Sequence, residues 1–170
     1  MNILSAVPGY PATTPSLDHS ACILAAGELL LLRLEQGHPI SAAQLRHAME
    51  TAFGASDATG AWNWKLAYEA CETATVLFLR KYGTALFRKA ATPTARLAAL
   101  TKILGLLPTH TRRSEESQAL QQFSTPVPLG LAALTAAAIK PGDRVLEPSA
   151  GTGLLAILAQ LAGGSLTLNE

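Results

Sequence analysis

Charge is the first thing this chain is short of. Only 15% of its 170 residues are charged, and 13 Lys and Arg against 12 Asp and Glu leave a formal net charge of +1, so a polybasic clamp on nucleic acid is not its obvious function. Cysteine is scarce as well. Cys22 and Cys71 are far apart, lack CxxC spacing and sit in apolar helical patterns, so both read as reduced, buried structural residues. His19, His38, His47 and His110 are scattered and form no metal-ligand cluster. The opening MNILSAVPGYPATTPS has no basic region and no long apolar core, which argues against a secretory signal peptide. The most apolar run, Ala21 to Leu34, is interrupted by Gly27, Glu28 and Arg33 and is too short to span a bilayer. With 49% hydrophobic residues the chain is apolar enough to fold. The expectation is a soluble, cytoplasmic protein of one domain, or of one small domain and part of another.

Residues 1–17, rich in Pro, Ser and Thr, read as a flexible arm. Asp18 can cap a helix from His19 to Gln36 that stops at Gly37, with Pro39 beyond it. Ser41 caps a second, to Phe53, with Gly54 as its stop. Asp57 or Thr59 opens a third, from Ala61 to Tyr82, ended by Gly83. Along it Trp64, Tyr68, Cys71, Phe78 and Tyr82 recur at three- and four-residue steps, which places them on one face, while Lys65, Glu69, Glu72 and Arg80 tend to lie elsewhere. That stripe could stack bases, but a half-buried helix needs the same pattern to pack into a bundle, and this is the favoured reading. Thr92-Pro93 starts a fourth helix with Leu97, Leu100, Leu104 and Leu107 inward, ended by Pro108. Residues 18–108 thus form a helical module without a chemical motif.

The polar segment THTRRSEESQALQQ, residues 109–122, marks a linker; its Arg112-Arg113 pair reads as solvated rather than phosphate-binding. Beyond it the pattern changes. Thr125-Pro126 can start a helix to Ile139, KPGD (140–143) is a turn, and Arg144 to Glu147 is a short strand. A tight loop, a helix from Gly153 to Ala162, the turn Gly163-Gly164 and a second strand, SLTLNE, follow. This order predicts a βαβ unit with parallel strands and a right-handed crossover.

The loop PSAGTG gives the unit its chemistry. Glycines let the backbone approach a ligand closely, and the following helix offers free N–H groups and the positive end of its dipole. Glu170, nineteen residues after Gly151, closes the second strand at the same edge, where a carboxylate can accept from both hydroxyls of a ribose. A Walker phosphate loop fails for want of a lysine after the glycines. A dinucleotide fingerprint is closer, with Gly151, Gly153 and Ala156 in place, but it calls for an apolar strand up to the first glycine, and here Glu147-Pro148-Ser149 intervene. Glu147 would repel a pyrophosphate; it suits a cofactor with a positive ammonium, such as S-adenosylmethionine.

VLEPSAGTG resembles motif I of the class I S-adenosylmethionine-dependent methyltransferases, in the form typical of adenine-N6 DNA methyltransferases. The upstream QQFSTPVPLGLAAL resembles the segment that precedes motif I in that group, and the combination is similar to the methylase part of bacterial proteins that join a methyltransferase to a strawberry-notch-type helicase. The methyltransferase resemblance covers residues 121–170. It implies that Phe123, Thr125 and Pro126 help hold the methionine end of the cofactor, that Glu147 faces its ammonium, that Pro148, Ser149, Ala150, Gly151, Thr152 and Gly153 wrap the methionine portion, and that Glu170 takes the ribose. The implied reaction is direct attack of an exocyclic amine on the methyl carbon, assisted by positioning and charge stabilisation.

The family's later [Asn/Asp/Ser]-Pro-Pro-aromatic motif, which grips the flipped base, has no counterpart, since the sequence holds no Pro-Pro pair. The expected fold class is therefore α/β: an N-terminal helical module, then, in residues 123–170, the opening βαβ of an incomplete Rossmann-like methyltransferase fold. The chain is expected to be truncated and inactive alone, with no residue assigned as catalytic. Its expected partners are DNA, through a parent protein, and a helicase domain or chain that completes the fold, with no membrane. The alternatives are a non-catalytic helical interaction module, and a fragment of an RNA or protein methyltransferase.

Overall fold

A computed structural model of the chain describes residues 18–109 and 125–169. The expected arm at 1–17, nearly all of the linker at 109–122, Phe123 and Glu170 lie outside the described residues.

Helix α1, His19–Glu35, begins where Asp18 accepts the N–H groups of Ser20 and Ala21. This satisfies donors that the first helical turn leaves without partners. Helix α2, Ala42–Phe53, opens with a capping box in which Ser41 and Gln44 serve each other's backbone, and ends at Gly54 in the left-handed conformation. Asp57–Thr59 forms a single 3-10 turn rather than opening the third helix, and Asn63 caps that helix instead. Helix α3, Trp64–Lys89, runs straight through Gly83. The expected stop there is wrong for a packing reason: a Cβ on Gly83 would lie 2.6 Å from Leu161 Cδ1, so the glycine is a notch for a neighbouring helix. Helix α4, Pro93–Leu104, starts at Thr92-Pro93. Its buried residues are Leu100 and Ile103, whereas Leu97 and Leu104 face outward. Ala90, at the C-cap of α3, and Phe87 give their carbonyls to Arg96, which fixes the α3–α4 corner.

Helix α5, Val127–Ala137, precedes strand β1, Arg144–Glu147; helix α6, Leu154–Leu161, links it to strand β2, Ser165–Leu168. The strands pair in parallel, Arg144 with Ser165 through Glu147 with Leu168.

Two apolar cores share α3. The first gathers Leu30 and Leu34 of α1, Leu45, Met49 and Phe53 of α2, and Tyr68, Cys71 and Ala74 of α3, with Trp62 beneath. The second joins Leu79 and Phe87 of α3 to Leu100, Leu131, Ile157 and Leu158 of the later helices. At about 1.5 Å rise per residue α3 is roughly 39 Å long, enough to reach both.

The expected α/β class and Rossmann-like fold are not what the chain forms. Some 65% of the described residues are helical and 6% are in strands, and the sheet has two strands of four residues. The protein is mostly helical and carries one strand–helix–strand unit. Local pattern announced that unit correctly, but a fold class depends on how much sheet exists for helices to cover. Here α6 buries Leu154, Ile157 and Leu158 in the core shared with α3, α4 and α5, so the helical assembly does the covering that a wide sheet would do.

Candidate functional site

The site begins where β1 stops. Pro148 has no N–H for the ladder, yet the strand edge continues one step beyond it, because Asn169 N–H donates to the Glu147 carbonyl at 3.0 Å and Ala150 N–H donates to the Asn169 carbonyl at 2.8 Å. Asn169 also donates from Nδ2 to the Pro148 carbonyl at 3.1 Å. One residue therefore straps the loop to the end of β2.

Within the loop, Gly153 N–H donates to the Ala150 carbonyl at 2.8 Å, closing a tight turn. Gly151 and Gly153 have φ of 50° and 86°. Added Cβ atoms there would meet nothing within 4 Å, so the glycines are required by the backbone conformation and leave open space in front of the turn. Among the described residues, no side chain caps the N-terminus of α6, whose N-cap is Gly153. Glu147 is half-buried, and its Oε1 accepts Ser149 N–H at 3.3 Å. Lys140 and Arg144 are the cations of this unit; Arg144, at the opposite end of β1, stands about 10 Å away along the strand. The loop is thus bordered by the carboxylate of Glu147, which favours a positively charged group over a phosphate.

Helix α5, whose N-cap is Pro126, packs against α6. A Cβ on Gly130 would lie 2.8 Å from Leu158 Cδ1 and 3.1 Å from Leu155 Cδ2, so the early turns of α5 and α6 are in direct contact. Pro126, the N-cap of α5, accepts through its carbonyl from Leu129 and Gly130, and Thr125 and Pro126 are both exposed.

The contact least expected from sequence comes from the helical layer. Thr152, between the two glycines, donates its hydroxyl to Glu72 Oε2 of α3 at 3.0 Å. No protein-family model, curated protein or solved structure matches the chain. What the loop can do has to be inferred from its own residues. The structure brings Glu147, Pro148, Ser149, Ala150, Gly151, Thr152 and Gly153 together in one turn and adds Asn169 and Glu72, which the sequence reading missed. Asn169 was signalled by its place beside Glu170; for Glu72 no spacing rule links positions 80 residues apart.

The aromatic stripe of α3 is packing surface. Tyr68 and Cys71 are buried, and Trp64, Phe78 and Tyr82 are half-buried. The rings meet in pairs, Trp64 with Tyr68 at 6.1 Å and Phe78 with Tyr82 at 5.1 Å between centroids. Burial pushes the Cys71 thiol up to about 12, with the neighbouring Glu72 charge adding to the effect, which leaves it protonated and unreactive. Glu35, held below the usual carboxylate range by its hydrogen bond from Lys81, and by one from Tyr82, ties α1 to α3 at the surface. Among the described residues, no cluster of three His, Cys, Asp or Glu side chains could hold a metal ion, and no helix is long and apolar enough to cross a membrane.

Proposed function

We propose that the Pro148–Gly153 turn is the methionine-end site of an S-adenosylmethionine-dependent methyltransferase, that the parent activity is methylation of DNA at adenine N6, and that this chain is the N-terminal portion of such a cytoplasmic enzyme. The observation that carries the reading is the turn itself: two positive-φ glycines facing open space, immediately after a strand that ends in a carboxylate. A cofactor with an ammonium and a sulfonium suits a loop bordered by the carboxylate of Glu147. The uncapped first turn of α6 offers N–H groups to the cofactor's carboxylate.

S-adenosylmethionine supplies an electrophilic methyl group when bound. The chain's own residues act on the cofactor rather than on a base: Glu147 holds the ammonium, the glycine turn admits the chain of the methionine, and Asn169 keeps the turn closed on β2. Glu170 is assigned the ribose by the family resemblance. No residue is assigned to methyl transfer, so the isolated chain is expected to be inactive on DNA and to need a helicase-associated partner or further strands.

Calorimetry with S-adenosylmethionine tests this, using the chain as given and a Glu147→Ala, Glu170→Ala double variant. Binding that the double variant loses supports the reading; a chain that binds nothing refutes a working site. Methyl transfer to plasmid DNA by the isolated chain would contradict the absence of catalytic residues.

A second reading, a non-catalytic interaction module, draws on the helical content and on the outward Leu24, Leu29 and Leu32 of α1, which are 45%, 40% and 55% exposed. It predicts no cofactor binding at all, which the same calorimetry reads.

A further inference from the structure

We infer that Glu72 of the helical layer is a positioning residue for the glycine turn, so that the turn's affinity for its ligand is set partly by α3. This rests on the cofactor reading of the turn.

A Gly-Thr-Gly segment is conformationally permissive, and its bound shape has to be selected from many at an entropic cost. The bonds at Ala150, Gly153 and Ser149 close within the strand–helix–strand unit. Thr152 is the tip. Its hydroxyl reaches out of the unit to Glu72 at 3.0 Å, and the acceptor is an ionisable carboxylate, which favours a stronger bond than a neutral one. Glu72 is well placed to be a fixed point. It follows Cys71, which is 1% exposed, on a helix locked into both cores. The arrangement holds Thr152 in one rotamer and the flanking glycines in their positive-φ wells before any ligand arrives.

Linkage makes the coupling reciprocal: whatever shifts α3 changes ligand affinity, and ligand binding stabilises α3 against such a shift.

The experiment combines amide hydrogen exchange at residues 149–153 with calorimetry using S-adenosylmethionine. It compares the full chain with Glu72→Ala, Glu72→Gln, Thr152→Val and Thr152→Ser. Thr152→Val keeps the branched shape and loses the donor, while Thr152→Ser and Glu72→Gln keep the hydrogen bond. Glu72→Ala and Thr152→Val should speed exchange of the Gly153 N–H and weaken binding by about tenfold. Thr152→Ser and Glu72→Gln should both restore exchange and affinity, and the Glu72→Ala, Thr152→Val pair should be no worse than either single change. Unchanged exchange in Glu72→Ala, or full additivity of the two changes, overturns the positioning role. Faster exchange with unchanged affinity in Glu72→Ala also overturns it. A wild-type chain that binds no cofactor while Glu72→Ala still speeds exchange removes the cofactor reading and leaves the clamp standing.

Discussion

The two cores that share α3 are built by different means. In the first, α1 and α3 come so close that a Cβ on Gly27 would sit 2.8 Å from Thr73 Cγ2 and 3.1 Å from Thr73 Cβ. Aromatic rings fill the remaining space, with Trp62 and Trp64 edge to face at 6.0 Å and the Trp62 indole N–H donating to the Ala55 carbonyl at 2.9 Å. The second is mainly aliphatic: among the described residues its buried set holds one aromatic, Phe87. It also carries a two-stranded sheet whose outer face is bare, with Leu146 66% exposed. Directional contacts define one end of α3, and shape-filling aliphatics define the other. The glycine turn belongs to the less constrained end, yet its tip is tied by Thr152 to the part of α3 that the first core holds.

The largest effect is expected at Leu158, 1% exposed in the second core. Leu158→Ala should lower unfolding free energy by about 3 kcal/mol in urea titration, since the cavity cannot collapse around a helix set in glycine notches. Phe78, which packs against both cores, should cost about 2 kcal/mol on conversion to Ala, less than a fully buried ring. If the cores are coupled through it, the same variant should split a single transition into two, seen as separate circular dichroism and Trp fluorescence midpoints.

Cys71 makes the first core sensitive to pH. Its folded pKa of about 12 lies above the ordinary 9.0, so the folded state keeps the proton longer than the unfolded chain does. The contribution is complete below the unfolded value and is lost as pH rises toward the folded one, which removes roughly 1.4 kcal/mol by pH 10. Stability measured from pH 8 to pH 10 should fall more steeply in the wild type than in Cys71→Ala.

The smallest difference separates two glycines. Gly27→Ala should destabilise by about 1 kcal/mol despite the better helix former, because stiff, branched Thr73 cannot swing aside. Gly83→Ala should stay within about 0.5 kcal/mol of wild type, since it meets only the flexible end of half-buried Leu161 and gains helix propensity in return. Thermal melts of both variants check the pair.

Much of the local structure was legible. Asp18, Ser41 and Thr92 announced helix starts because their side chains satisfy N–H groups within three residues. Gly37 and Gly54 announced stops because they adopt positive φ. The glycine turn was legible for the same reason. Gly83 misled because a helix interior tolerates glycine when a neighbour fills the space, and the neighbour, Leu161, is 78 positions away. The inward face expected on α4 missed Ile103 because several leucines offered alternatives, and the packing partner chose among them.

What the sequence determined by itself was therefore whatever acts within a few residues: caps, turns, the strand–glycine–helix–strand order and the carboxylate that precedes the turn. The tertiary structure decided the rest, because those choices depend on free energy shared by distant segments. It decided that a helical assembly, not a wide sheet, buries α6, that α3 runs the length of both cores, and that a hydroxyl at position 152 finds a carboxylate at position 72. A hydrogen bond of that span is stabilised by the packing that brings α3 and α6 together, and that packing is a sum over the whole chain.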